Sequence, residues 1–189
     1  MALSRIGDLY PNYQEDIFGG EDIKSFSVYS DNDKKVGAVS DVLVDENGRF
    51  RYLVINTGFL GLGKRVLLPI GSGKIDYAQE RVYAIGFTKE QAENLPEYDE
   101  DMTLDYDYEE KVRTSYRKPS AMVGGAASAS DRDNYTYDRD RDLYQLQDRN
   151  HGQFMQYQDR FIGNKDRFHL GDRSDNKSLY KIADLYPNY

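Results

Sequence analysis

The chain has no cysteine and no tryptophan, and only two histidines and five prolines among 189 residues. Without cysteine, disulfides, thiolate metal sites and thiol nucleophiles are excluded. His151 and His169 have no third ligand at a recognisable spacing, which argues against zinc. Neither histidine has a setting that suggests a base for a serine nucleophile. No run approaches the roughly 18 apolar residues a membrane span needs, and the N-terminus lacks the charged-then-apolar pattern of a secretory signal. The expected address is cytoplasmic by default, although a cysteine-free chain is also compatible with an extracellular or surface filament. A basic surplus is also missing. The formal net charge is −8, so neither nucleic acid nor an anionic membrane meets the cationic face it needs. These absences predict no catalytic residue, no cofactor and no metal.

What is present divides in two. Residues 1–105 hold 11 Lys and Arg against 19 Asp and Glu, whereas residues 106–189 hold 14 of each. From Asp22 to Phe87 the sequence reads as short strands separated by strong turns. Ile23 to Tyr29 alternates. Asp31-Asn32-Asp33 turns the chain and lacks the later ligands of a calcium loop. Lys35 to Val44 is a strand that Gly37 is expected to interrupt with a bulge or bend. Asn47-Gly48 signals a type I′ hairpin leading to the strand Arg49 to Thr57. Gly58 to Lys64 resembles a phosphate-binding loop, but Arg65 replaces the magnesium-binding hydroxyl and a strand follows instead of a helix. No nucleotide is expected there. Phe59, Leu60 and Leu62 instead form an apolar loop tip suited to protein contact. Thr88-Lys89-Glu90-Gln91 fits a capping box opening a short helix that Pro96 ends.

Closely spaced strands with glycine bends predict a small barrel, which removes the exposed edges of a sheet. Five stretches carry a family resemblance: Gly20-Glu21-Asp22-Ile23, Val36 to Asp45, Gly48 to Ile55, Lys64 to Ile70, and Thr88 to Gln91 with Leu95-Pro96-Glu97-Tyr98. Together they resemble a PRC-barrel domain over about residues 18–98, and the acidic, tyrosine-rich style is similar to cyanobacterial stress-type members. The resemblance implies a mainly β fold, a small PRC-type barrel with a short C-terminal helix, that binds other proteins and catalyses nothing.

Beyond it lie an acidic then Gly/Ala-rich linker (99–130) and a low-complexity tail (131–178). In the tail region Asp-Arg recurs seven times, at Asp131, Asp138, Asp140, Asp148, Asp159, Asp166 and Asp172. Its polarity suits a hydrated spacer. Its tyrosines equally suit an adhesive strand, with Arg on Tyr rings and forked Asp–Arg pairs.

The chain nearly begins and ends with one peptide. Leu3 to Tyr13 (LSRIGDLYPNY) returns as Leu179 to Tyr189 (LYKIADLYPNY), with eight identities in eleven. The segments 1–17 and 179–189 are therefore expected to be docking segments. Their apolar residues are Leu3, Ile6, Leu9, Tyr10 and Tyr13, with Leu179, Ile182, Leu185, Tyr186 and Tyr189. A single folded body offers an obvious place for one copy, so the second points to a neighbouring molecule. The sequence predicts a non-enzymatic protein that is its own partner in a homopolymer or filament. The alternative is a monomeric stress-associated or photosynthetic adaptor whose barrel binds another protein complex.

Overall fold

In the computed structural model, strand β3 (Lys35–Asp45) is long enough to take two partners on one edge. Residues 2–30, 32–58, 63–88, 91, 94–117 and 134–165 are described. The other strands are β1 (Leu3–Arg5), β2 (Ser27–Ser30), β4 (Phe50–Thr57), β5 (Arg65–Pro69), β6 (Gly73–Asp76) and β7 (Arg81–Ala84). They follow the order β5-β4-β3-β2-β7-β6, with β1 added to β3. β1 pairs with the end of β3 (Leu3 with Asp45) and β2 with its beginning (Ser27 with Ala38), both antiparallel. β2 and β7 run parallel.

The sheet is open, so the expected closed barrel is corrected to an open sheet with covered edges. At the β5 end, the Tyr98 N–H donates to the Arg65 carbonyl (2.8 Å) and the Tyr116 hydroxyl to the Leu67 carbonyl (2.9 Å). At the β6 end, a long helix packs alongside. These contacts manage the edges that closure would otherwise have to abolish.

One turn assignment also changes. Of the Asn47-Gly48 pair only Gly48 has positive φ (80°), so the turn is not type I′. The Asp45 carboxylate instead accepts the N–H groups of Asn47 and Arg49 (2.8 and 3.0 Å), and a glycine in the left-handed region follows. β3 runs unbroken through Gly37, where a Cβ would lie 2.3 Å from the Asn56 carbonyl oxygen. Glycine there permits close strand approach, and the expected irregularity is present: against β2 the register shifts beside it, with Val28 opposite Gly37 but Tyr29 opposite Lys35, and against β4 it shifts between Val39 and Asp41 and between Leu43 and Val44.

The helices are α1 (Ile6–Leu9), α2 (Tyr13–Asp16), α3 (Tyr106–Tyr116), α4 (Arg141–Tyr144) and α5 (Asp148–Gly163). The capping box is present: Thr88 N–H donates to Gln91 Oε1 (2.8 Å) and Gln91 N–H to Thr88 Oγ1 (3.2 Å).

Along β3, β4 and β5 the sheet is buried on both sides. One core joins Val42, Phe50, Leu53, Ile55, Val66 and Leu68 to Ile6, Ile17, Phe18 and the α5 residues Phe154, Tyr157 and Phe161. A second joins Leu43, Tyr52, Val54 and Leu67 to Val112 of α3 and to Tyr135, Tyr137, Leu143 and Tyr144. Residues 134–165 thus pack on both faces of this part of the sheet, and of the two readings of that stretch the packing opposes the hydrated spacer. Each aromatic ring removes a large area from water, so a segment of low mean hydropathy still supplies a core.

Candidate interaction surfaces

The N-terminal copy of the repeat occupies a berth in its own chain. Leu3 to Arg5 extend the sheet along β3, and the chain then turns into α1, whose end is closed by the Tyr10 N–H on the Ile6 carbonyl (3.0 Å). Leu3, Ile6, Leu9, Tyr10 and Tyr13 are all buried. Tyr10 meets Phe161 of α5 edge-on at 6.5 Å, and Tyr13 meets Phe18 at 5.8 Å. Both hydroxyls donate to carboxylates, Tyr10 to Asp16 (2.5 Å) and Tyr13 to Asp22 (3.0 Å). Burial, with Asp22 beside it, raises the Tyr13 pKa well above the usual phenol range. Arg5 forks onto Asp8 (2.9 and 3.1 Å) and reaches Glu100 (2.8 Å).

Of the predicted contact residues, these five are brought together. Phe59, Leu60 and Leu62 lie outside the described residues, as do Leu179, Ile182, Leu185, Tyr186 and Tyr189. The two copies are identical at all five positions buried in the berth. They differ at Ser4, Arg5 and Gly7, each only half-buried.

The second core hides a polar cluster that sequence reading missed. Glu109 and Arg113 face each other at 3.4 Å, with side-chain exposures of 5% and 0%. Tyr52 and Tyr137 donate to the same Glu109 oxygen (2.9 and 3.0 Å), and Tyr144 shares a hydrogen bond with Tyr52. Burial raises the Glu109 pKa. The carboxylate is already engaged by the cation and two hydroxyls, as a buried charge requires. The cluster ties α3 to β4 and to residues 137–144.

The expected Arg–Tyr and Asp–Arg chemistry is present within the chain. The Arg51 guanidinium lies 4.1 Å from the Tyr137 ring centre and that of Arg113 lies 4.0 Å from Tyr135. Asp140 takes both arms of Arg117 at 2.8 Å. Asp131, Asp166 and Asp172 fall outside the described residues. Lys64 of the glycine-rich loop donates to the Leu95 carbonyl (2.7 Å), and β5 follows directly. His151 is buried with both ring nitrogens bonded, Nδ1 to the Gln147 N–H (2.8 Å) and Nε2 to the Ile70 carbonyl (2.9 Å). Among the described residues no cluster of three or more His, Asp or Glu forms a metal site, and no helix is long and apolar enough to cross a membrane.

Residues 15–91 match the PRC-barrel domain family. The chain is also 31% identical over 146 residues to an uncharacterized protein of Deinococcus radiodurans, a match covering 77% of this chain and 46% of that protein. The chain thus spans about half the length of that relative. The matched residues contain strands β2 to β7, while the N-terminal copy and α5 pack on them from outside the matched range. With its covered edges and a sheet buried on both sides along β3 to β5, the segment 15–91 of this chain is a PRC-barrel domain, a type that mediates protein–protein interaction.

Proposed function

We propose that this protein is a non-enzymatic structural element that self-associates through its terminal segments into a homopolymer or filament. The observation that carries the reading is the filled berth. One copy of the repeat is docked, and a second copy has the same side chain at every buried position. A C-terminal copy seated on a neighbour makes a heterologous contact, and such contacts close into rings or continue as fibres.

Two of the three differences between copies favour this exchange and the third costs little. Ala183 stands where the N-terminal copy has Gly7, and a Cβ at Gly7 meets only the Tyr13 ring at 3.5 Å, an ordinary contact. Alanine is better than glycine in a helix by about 1 kcal/mol. Tyr180 replaces Ser4 at a half-buried strand position, where an aromatic residue suits a pleated surface. Lys181 gives up the exposed Arg5 fork, which contributes little.

The test is light scattering of the full chain against a chain ending at Ser178, over a concentration series. Large assemblies from the full chain and a folded shortened chain that associates markedly more weakly are expected. Equal association of the two would refute the reading. If both stay monomeric, an adaptor role replaces it.

A further inference from the structure

A second contact surface lies away from the berth. On the solvent face of β3, β2, β7 and β6, one row of side chains crosses four strands: Lys35 opposite Tyr29, Tyr29 beside Tyr83, Tyr83 opposite Lys74. Lys35 and Lys74 are exposed and the two tyrosines half-buried, while their neighbours Val28, Ile75 and Val82 are buried beneath. The tyrosine rings sit 6.1 Å apart. The Arg81 guanidinium lies 4.6 Å from the Tyr29 ring centre and the Lys74 ammonium 6.0 Å from that of Tyr83. Among the described residues no ion pair joins Lys35, Lys74 or Arg81 to a carboxylate. Asp76, opposite Arg81, accepts the Gln79 N–H instead (3.1 Å). Asp33 and Glu80 lie in the flanking turns. In a chain of net charge −8, such a cationic aromatic row is a local inversion.

The complementary chemistry stands at the other end of the strand order. Residues 97–105 follow the β5 edge through the Tyr98–Arg65 bond. Glu97, Asp99, Asp101 and Asp105 are exposed there, and Met102 and Leu104 are half-exposed between them. Asp99 and Asp105 accept the backbone N–H groups of Asp101 (3.0 Å) and Tyr108 (2.8 Å), so both carboxylates are held in place. None of these four is in an ion pair with the described cations. A negative strip interleaved with apolar side chains fits a row of rings bracketed by ammonium groups: Coulomb attraction sets orientation, and the Met102 thioether suits an aromatic edge.

We propose that the Lys35–Tyr29–Tyr83–Lys74 row, with Arg81, is the docking surface for the 97–105 segment of a second copy of this chain. The inference rests on the self-association reading and adds to it a head-to-tail contact independent of the repeat. The row runs over β3, β2, β7 and β6 and the 97–105 segment lies beyond β5, so the two surfaces share no residue and neither is consumed by the other's use.

Charge reversal tests it on the full chain. Lys35→Glu with Lys74→Glu, and separately Asp99→Lys with Asp101→Lys, are each expected to weaken association about tenfold or more. Circular dichroism is expected to be unchanged, because all four residues are exposed. All four substitutions in one chain restore the net charge and are expected to restore association. A 1:1 mixture of the two double variants is expected to do so as well. Raising NaCl from about 0.05 to about 0.5 M weakens the unmodified contact as screening shortens. Reversal variants that associate as the parent does would overturn the proposal, and so would failure of the fourfold variant to recover. If removing residues 179–189 abolishes association while the reversals leave it intact, the terminal contact stands and this surface falls. If the unmodified chain never associates, both fall together.

Discussion

Replacing Phe154 with alanine decides whether the Asp-Arg-rich half is core or appendage. Phe154 is fully buried, 4.9 Å from the Phe50 ring and 6.2 Å from that of Phe18. A Phe→Ala change at such a site costs about 3–5 kcal/mol, combining lost transfer energy with the cavity left behind. In a chain of this size each kcal/mol moves the melting temperature by roughly 2–4 °C. The expected fall in Tm is therefore roughly 6–20 °C, with a matching fall in the urea midpoint and little change in slope. Gln156→Ala, exposed on the same helix, is the control and is expected to stay within about 0.5 kcal/mol of the parent. A Phe154→Ala cost below about 1 kcal/mol, no larger than a surface change, would mean that α5 adds nothing to the sheet. The hydrated-spacer reading of its composition would then be right.

Gly152 interrupts α5 with φ at 35° and ψ at −109°, outside helical geometry. Gly152→Ala is therefore expected to destabilise by about 1 kcal/mol or more through backbone strain alone, since a Cβ there meets nothing within 4 Å. Gly163→Ala, equally unhindered and without positive φ, is expected to be neutral or stabilising, and matching signs in urea melts would refute this assignment. His151 has its pKa lowered by burial, so the folded chain binds fewer protons than the unfolded one. Its contribution is present above the unfolded pKa of about 6.5 and is lost as pH falls through the folded value. Urea midpoints are expected to fall between pH 7.5 and 5, with a smaller fall in His151→Asn; an equal fall in both would remove His151 as the cause.

Local signals in the sequence were faithful where one residue type meets one backbone need. Thr88 and Gln91 form the reciprocal cap, and β5 follows the glycine-rich loop as a strand. The hairpin at Asn47-Gly48 was legible, but its turn type was not, because the Asp45 side chain captures two backbone N–H groups and holds another geometry. Closure of the barrel was the natural inference from many short strands. It failed because α5 and residues 98 and 116 cover the edges, long-range contacts that no local pattern reports. Phe154, Tyr157 and Phe161 recur at i, i+3 and i+7, a helical stripe that was available to read. Composition masked it, since tyrosine scores as polar yet buries most of its ring. The Glu109–Arg113 pair is an i, i+4 spacing common on exposed helices, and only tertiary packing distinguishes a buried one.

The berth and α5 are physically one device. Phe161 packs on Tyr10, the Arg160 guanidinium donates to the Ile17 carbonyl (2.7 Å), and the Phe50 N–H donates to the Gln158 side chain (2.9 Å). The helix that seats the N-terminal copy is therefore also the last described element before the C-terminal one, which begins after the connector 166–178. A connector of that length reaches at most about 45 Å when fully extended. Its own berth and a neighbour's thus compete for the same peptide. The N-terminal copy holds the advantage of continuity, because Tyr13 opens α2 and leads without a break to the buried Ile17 and Phe18. Exchange trades one buried copy for another, so its driving force is limited to the small gain at Ala183 and Tyr180 set against the cost of association. Tethered peptides act at effective concentrations on the order of millimolar, and a neighbour must approach that figure before exchange wins. Association through the berth alone is therefore expected to be weak. Tight assembly at low concentration requires contacts that do not displace anything, and the cationic tyrosine row is such a surface.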